Sequence, residues 1–458
     1  MSPAPAGESS FRDPAGHVYS EGGSLYRQVN HRGAADFELL QSSGLYDELV
    51  ERRLLIPHEL MAKNPLGESA YFAIIRPEKV PLVTYPYEWC FEQLQDAALA
   101  TLDIQLAALA REMTLKDATA FNIQFYKGAP VHIDTLSFKP YRDGEPWMAY
   151  NEFCRHFLAP LLVMAYCDRR LGRVSSAFIE GLPLDLASSL LPKRTRLNPL
   201  ILTHIHLQAK LTSGHEAPRK AAHVRKDGLE LMIRSLRGLV AKLRPKGSSP
   251  WERYYRECTY ADSDIVEKAC IVETVLDRLS DIKTLCDIGA NTGRFSRIAS
   301  ERGIRTLAID ADSAAVGKCY LEAKHSSDPF LTPLVQDLRN PSPGLGWRSR
   351  ERPGLIERIR SDVVMALALV HHLSIGGNVP FPLVARLLSD IAPIAIVEFV
   401  PASDPQARRL MAFREDIFDW YTQEGFESAF ENQGYSVIES RQVGETGRTL
   451  YLFAIQGP

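Results

Sequence analysis

The stretch Thr284–Gly293, TLCDIGANTG, decides the fold of the C-terminal half of this chain. It begins as an apolar strand, enters a turn with two glycines and continues into the helical pattern RFSRIASERG. Glycine has no Cβ, so such a turn lets the backbone approach a ligand closely, and the helix behind it presents free N–H groups. We therefore predict a ligand site at this turn, at the carboxyl end of a buried strand.

Helix and strand patterns alternate outward from this stretch. A helix is predicted at about 265–279 and another at 293–303. The further predicted strands are TLAID, LTPLVQD, SDVVMALAL, IAIVEFV, YSVIESRQV and TLYLFAI. This alternation predicts an α/β domain, with a parallel sheet covered by helices on both faces.

Acidic residues mark the ends of three successive predicted strands. Asp287 precedes the first glycine, Asp310 ends the second strand and Asp337 follows the third. A dinucleotide site has the pattern G-x-G-x-x-G around a pyrophosphate, whereas here Asn291 stands in place of the second glycine. A carboxylate at 287 repels a pyrophosphate but pairs with an ammonium group. The alternative interpretation is that the three acids are solubilising charges at strand ends.

These motifs, followed by SDVVMALALVHHL, resemble those of the class I S-adenosyl-L-methionine (SAM)-dependent methyltransferases. The resemblance covers residues 251–458 and implies a Rossmann-like, seven-stranded domain with SAM as the cofactor. It also implies a set of cofactor-binding residues, which are Asp287, Gly289, Asn291 and Gly293 at the methionine end, Asp310 at the ribose, Asp337 at the adenine, the backbone around Ala366 and Leu367 closing the pocket, and Tyr260 as a cap. The whole chain resembles the NoeA-like, nodulation-type methyltransferases, in ANTGRFSRIA, in ALVHHL and in the N-terminal region.

Three residues are candidates for contact with the methyl acceptor. His371 and His372 lie just beyond the fourth predicted strand, where one of them is a candidate base, and Glu398 ends the fifth. The alternatives are a packed or helix-capping histidine pair and a salt-bridged strand end. No N-P-P-Y motif of amino-directed DNA methyltransferases follows the fourth strand, and the net charge is -3, so nucleic acid is not the expected partner. We expect a small-molecule or glycan acceptor, and the oligomeric state stays open.

The N-terminal region, residues 15–211, has an α+β pattern. HVYSEGGSLYRQV predicts a β-hairpin at 17–29, and helices are predicted at 35–55 and 89–113. Asp117 and Asn122 have the D-x4-N spacing of a kinase catalytic loop, and Asp134 ends a strand as the metal-binding aspartate of D-F-G does. This resembles a degenerate protein-kinase-like fold, which implies a Mg²⁺ site at Asn122 and Asp134.

The kinase pattern is incomplete, because the chain has no glycine-rich phosphate loop and no V-A-I-K lysine, Arg27 being the nearest basic strand residue. The alternatives are a domain that binds only nucleotide or acceptor, and an unrelated helical domain. Residues 212–250 are basic, and we interpret them either as a solvated linker with one amphipathic helix or as a docking strip for an anionic partner. FLAPLLVMAYC, at 157–167, is too short to span a bilayer and predicts a core helix. Seven scattered cysteines and no signal-peptide pattern lead us to expect a cytoplasmic enzyme.

Overall fold

A computed structural model describes residues 10–63, 71–212, 223–247, 262–412 and 417–455 of the chain. The chain divides into two compact units, which we call the N-terminal unit (Met1–Gly247 with Pro343–Pro353) and the C-terminal unit (Ser248–Ser342 with Gly354–Pro458). In the described ranges, no helix is both long enough and apolar enough to cross a membrane.

The N-terminal unit contains a four-stranded antiparallel sheet and two antiparallel sheets of two strands each. The sheet has the order β1-β2-β4-β3 and consists of β1 (Gly16–Glu21), β2 (Ser24–Val29), β3 (His58–Lys63) and β4 (Ala73–Pro77). The two-stranded sheets pair β5 (Met113–Leu115) with β8 (Phe138–Pro140), and β6 (Ile123–Tyr126) with β7 (Ala129–His132), and the second of them is a hairpin. The predicted hairpin at 17–29 is confirmed, and Gly22 and Gly23 make its turn with φ of 56° and 78°.

Helices make up most of the rest of this unit. The α-helices are Ala34–Ser42, Leu45–Glu51, Phe91–Ala110, Tyr150–Phe153, Ala159–Tyr166, Leu184–Leu190, Pro199–Ile201, Gln208–Thr212 and Lys226–Lys242. The π-helical turns are Cys154–Leu158 and Leu202–Leu207, and the 3-10 turns are His31–Gly33, Pro86–Glu88, Ala120–Asn122, Arg169–Ala177, Lys193–Leu197 and Trp347–Ser349. The predicted helix at 35–55 is divided in two, because Gly44 adopts a left-handed φ of 75° that an α-helix does not accommodate. The predicted core helix at 157–167 is buried as expected.

Residues 223–247, the described part of the basic segment at 212–250, include a packed helix. The helix Lys226–Lys242 packs on Phe91–Ala110, and its apolar face is buried. Gln95 Nε2 donates to the carbonyl oxygens of Val240 at 2.7 Å and Leu243 at 3.1 Å, and Arg237 Nε lies 2.6 Å from Asp103 Oδ1. This helix is therefore part of the N-terminal unit.

Residues 343–353 also belong to the N-terminal unit, although they lie inside the range predicted for the C-terminal domain. Glu351 accepts two hydrogen bonds from the Arg12 guanidinium, at 2.8 and 2.9 Å. The Arg352 guanidinium carbon lies 4.0 Å from the centre of the Phe121 ring. Contacts this far apart in sequence leave no local pattern from which the boundary is predicted.

The C-terminal unit is built on one seven-stranded sheet. Its strands are β9 (Thr284–Ile288), β10 (Arg305–Asp310), β11 (Leu331–Val335), β12 (Val363–Ala366), β13 (Ile394–Phe399), β14 (Tyr435–Gln442) and β15 (Thr449–Ile455), in the order β11-β10-β9-β12-β13-β15-β14. Its helices are Asp262–Arg278, Arg294–Ser300, Ser313–His325, Leu355–Arg358, Phe381–Ile391, Pro405–Met411 and Gln423–Glu431, with a π-helical turn at His372–Gly376. The α/β class and the seven strands that the methyltransferase resemblance implied are confirmed.

The predicted sheet was parallel, but in the structure β15 runs antiparallel to both of its neighbours, β13 and β14. Only a short turn joins β14 to β15, and a parallel connection needs a crossover of a dozen or more residues. The strand order reverses at β9, which lies between β10 and β12. In open α/β sheets, ligands bind beyond the carboxyl ends of the strands at such a point.

Candidate cofactor site

The glycine turn follows β9 at this reversal of strand order. Its conformation requires positive φ at Gly289 (78°), Asn291 (53°) and Gly293 (75°). The N–H groups of Gly289 and Ala290 both donate to the carbonyl oxygen of Ile309, at 2.8 and 3.0 Å. A Cβ atom at Gly293 would lie 2.3 Å from Cys319 Sγ, so a side chain there would collide with the helix Ser313–His325. The turn is thus fixed against the end of β10.

Two carboxylates lie at the ends of the neighbouring strands β9 and β10, and Asp287 is buried while Asp310 is half-buried. Asp287 is 2% exposed and accepts a hydrogen bond from Ser296 Oγ at 2.5 Å. Burial, and then the nearby charge of Asp310, raise the pKa of Asp287 to about 7. Asp310 accepts from the backbone N–H groups of Asn291 and Asp312, each at 2.8 Å, and burial raises its pKa to about 6. Both acids therefore lack much of the positive charge that would stabilise their ionised forms.

The other predicted cofactor residues are less uniform in their placement. Asp337 follows β11, and its carboxylate binds the Arg339 guanidinium at 2.9 and 3.1 Å. Ala366 ends β12 and Leu367 follows it, and both are buried. Tyr260 lies outside the described residues.

The two predicted histidines lie beyond β12, with ring centres 4.2 Å apart. His371 is 1% exposed, and its Nδ1 atom has no hydrogen-bond partner among the described residues. Burial, together with the charges of His372, Arg448 and Lys268, holds the pKa of His371 well below its usual range. Burial likewise lowers the pKa of His372. Both imidazoles are therefore neutral near pH 7.

Glu398 is fully buried and belongs to a network of charged side chains. Lys268 Nζ donates to Glu398 Oε2, which also accepts the N–H of Ala368 at 2.8 Å. Arg448 Nη1 lies 3.7 Å from Glu398 Oε1, and Arg448 Nε donates to Asp404 at 2.8 Å. These contacts correspond to the salt-bridged strand end that was the alternative interpretation of Glu398.

Sequence reasoning missed Lys268 and Arg448, which are 3% and 2% exposed. One signal for Lys268 was present, because it shares the apolar face of the helix Asp262–Arg278 with Ile265 and Val272. A lysine on a buried helix face needs an acidic partner, but the sequence does not say which acid supplies it.

The residues proposed from the kinase resemblance lie in one corner of the N-terminal unit. Asp134 Oδ1 is 2.7 Å from Arg27 Nη2, and Asn122 Nδ2 donates to Ser137 Oγ at 3.2 Å. Asp117 accepts the N–H of Thr119 at 2.9 Å. The described part of the chain contains no group of three or more His, Cys, Asp or Glu side chains that could hold a metal ion.

Comparison with known proteins places the chain in a family. Nodulation protein NoeA of Rhizobium meliloti (strain 1021) is 36% identical to it over 457 residues, which cover 97% of this chain and 95% of that protein. The chain belongs to the NoeA family. No protein-family model matches this NoeA-family chain.

Solved structures of methyltransferases are more distant. Magnesium protoporphyrin IX methyltransferase (ChlM) from Synechocystis PCC 6803, with bound SAM, is 18% identical, with 45% of this chain and 89% of that one covered and a TM-score of 0.32. The bifunctional kinase-methyltransferase WbdD is 17% identical, with 48% of this chain and 45% of that one covered and a TM-score of 0.30. Likenesses at this level do not identify a reaction, so the function is argued from the site itself.

Proposed function

We propose that this protein is a SAM-dependent methyltransferase that acts on a hydroxyl group of a small molecule or glycan. The observation that carries the proposal is the pair of carboxylates at neighbouring strand ends beside the glycine turn, the buried Asp287 and the half-buried Asp310. Bound SAM supplies a sulfonium-activated methyl group, and it carries an ammonium group and no phosphate.

The residues at the turn fit such a cofactor. The raised pKa values of Asp287 and Asp310 mean that the groups around them do not fully stabilise the ionised carboxylates. A cationic ligand stabilises both carboxylates, whereas they repel the negative charge of a pyrophosphate. Asp287 would bind the ammonium group, and Asp310 would accept hydrogen bonds from the ribose hydroxyls. Asp337 would hold the adenine amine, and Ala366 and Leu367 would close the pocket.

The acceptor side of the site is assigned to the histidine pair. A neutral imidazole is able to take the proton that the acceptor hydroxyl loses as its oxygen forms the new bond to carbon. His371 is our first choice for this base, because its Nδ1 atom is buried and has no hydrogen-bond partner in the ranges described. His372 is the second choice. Glu398 is enclosed by Lys268 and Arg448, which favours a positioning role for it.

The test uses SAM labelled in its methyl group and a panel of oligosaccharides and small hydroxylated compounds. We expect label to appear in an acceptor with the wild-type protein, and His371→Ala to lose this transfer while S-adenosylhomocysteine (SAH) still binds. His325→Ala, at an exposed histidine, is the matched control. Transfer that survives in both His371→Ala and His372→Ala would remove the histidines from the proposal.

A second candidate function is nucleotide binding by the N-terminal unit. The observation that favours it is the common placement of Asp117, Asn122 and Asp134, where the carbonyl of Asn122 accepts from His132 Nδ1 at 3.1 Å and the charge of Asp134 contributes to the raised pKa of Asp117. Arg27 already neutralises Asp134, so we infer binding without phosphoryl transfer.

Titration with ATP, with and without Mg²⁺, tests this second candidate. Binding that Asp117→Asn weakens would support it. A folded protein that binds no ATP under either condition would remove it.

A further inference from the structure

The buried lysine Lys268 is not explained by the cofactor contacts described above. It lies 3% exposed in the C-terminal unit, on the helix that precedes β9. Its ammonium group donates to Glu398 at the end of β13, and it also lies 4.9 Å from the centre of the Phe295 ring. Phe295 belongs to the helix that the glycine turn begins. One side chain thus contacts both the turn's helix and the neighbouring half of the sheet.

Glu398 connects this lysine to the loop after β12. Its Oε2 atom accepts the N–H of Ala368 at 2.8 Å, and Ala368 has a left-handed φ of 49°. A residue with a Cβ adopts this conformation only at a cost, so it needs a contact that holds it there. The Glu398 carboxylate supplies that contact.

The loop held by Glu398 packs directly on the glycine turn. A Cβ atom built at Gly289 would lie 3.1 Å from Leu369 Cδ1, which places the residue after Ala368 against the turn. Movement of Ala368 would therefore change the surface on which the proposed cofactor rests, on the side where Ala366 and Leu367 close the pocket.

We propose that Lys268 is a positioning residue of the cofactor site, which with Glu398 fixes the loop at Ala368 against the glycine turn and supplies positive charge near Asp287. This inference rests on the proposed function. It gives Glu398 a part in the site that does not require contact with the acceptor.

The charges around Asp287 support the second part of this role. The groups that act on it are the Asp310 carboxylate from β10, the Lys268 ammonium, the Ser296 hydroxyl and the thiols of Cys286 and Cys319. Of these, Lys268 carries the positive charge and favours the ionised form of Asp287, while Asp310 opposes it. Loss of Lys268 should therefore leave Asp287 protonated to a higher pH.

The experiment is titration of the full-length protein with SAH between pH 6 and 8, comparing wild type with Lys268→Met. We expect Lys268→Met to bind SAH about tenfold more weakly at pH 7, and the pH at which affinity is half-maximal to move upward. Lys318→Met is the matched control, because Lys318 is 42% exposed and interacts with Glu322 on the same helix. A purely structural role for Lys268 would weaken binding without moving the pH midpoint.

A second variant covers the case in which Lys268→Met does not fold, since removing one partner leaves a buried charge behind. Lys268→Met with Glu398→Gln removes both charges and keeps an oxygen that accepts the Ala368 N–H. We expect this double variant to fold, to bind SAH and to show the same upward shift of the pH midpoint.

A folded variant with the affinity and the pH midpoint of Lys318→Met would overturn the role of Lys268 and leave the proposed function standing. Weaker binding at an unchanged pH midpoint would overturn the second part of the role, the effect of the Lys268 charge on Asp287. Absence of SAH binding by the wild type would instead reject the proposed function.

Discussion

Binding of SAH should depend on pH through Asp287. In the unliganded protein, burial and Asp310 raise the pKa of Asp287 to about 7, so the acid is largely protonated at pH 6 and largely ionised at pH 8. An ammonium group binds the ionised form, so the proton must leave as the ligand enters. If only the ionised fraction binds, affinity rises about tenfold between pH 6 and pH 8 and then levels off. Asp310, with a pKa of about 6, steepens the dependence at the acid end.

Calorimetry measures both parts of this prediction. Titrations in two buffers with different ionisation enthalpies give the number of protons released, which should be roughly one per SAH at pH 6 and close to none at pH 8. Asp287→Asn should bind more weakly, with an affinity that is nearly flat between pH 7 and pH 8. A dissociation constant for the wild type that does not change from pH 6 to pH 8, with no proton release, would refute the reasoning.

Three further predictions concern stability. Gly293→Ala should lower the free energy of unfolding by about 1–3 kcal/mol and weaken SAH binding, because its Cβ would meet Cys319 Sγ and its φ is positive. Asp287→Asn should raise the urea midpoint at pH 8 but not at pH 4. The pKa of Asp287 is about 7 in the folded protein and lower in the unfolded chain, so the ionised carboxylate destabilises the folded protein only at a pH above its pKa in the unfolded chain. Arg27→Met should cost up to about 3 kcal/mol at pH 7, because it leaves the Asp134 carboxylate, only 15% exposed, without its cation. That loss should diminish in acid, since the pKa of Asp134 is lowered in the folded protein.

Two of these predictions have a matched control, and all three have an outcome that would contradict them. For Gly293→Ala the control is Gly228→Ala, at an open helical position, and equal stability of the two would contradict the clash. For Asp287→Asn, a urea midpoint below that of the wild type at pH 8 would contradict the raised pKa. For Arg27→Met the control is Arg52→Met, at an exposed ion pair, and equal costs would mean that the buried pair contributes little.

The glycine turn and its acids were predictable from sequence because their pattern is local. Asp287, the turn and the helix that follows lie within one short stretch, and Asp310 ends the next strand. The reversal of β15 was hidden, since alternation alone does not give strand direction. The role of Glu398 was not predictable either, because its partners Lys268 and Arg448 come from distant parts of the chain. The sequence pattern of an acid at a strand end is the same whether it contacts a substrate or a lysine.

In the N-terminal unit, the elements were easier to predict than their partners. The hairpin at 17–29 follows from alternation and two glycines. The pairing of Arg27 with Asp134 joins that hairpin to a segment about a hundred residues further along, and no local sequence pattern predicts this contact. The same limit applies to the helix Lys226–Lys242. Its sequence pattern predicts an apolar face, but it does not identify Phe91–Ala110 as the helix on which that face packs.

The central claim, that this NoeA-family chain binds SAM at the glycine turn, is tested most directly by calorimetric titration with SAH. The wild type and Asp390→Ala, which removes an exposed acid, should bind in the micromolar range or tighter. Asp310→Ala should lose that binding while remaining folded. A well-folded wild type that does not bind SAH, or an Asp310→Ala variant that binds it as tightly as Asp390→Ala, would contradict the account.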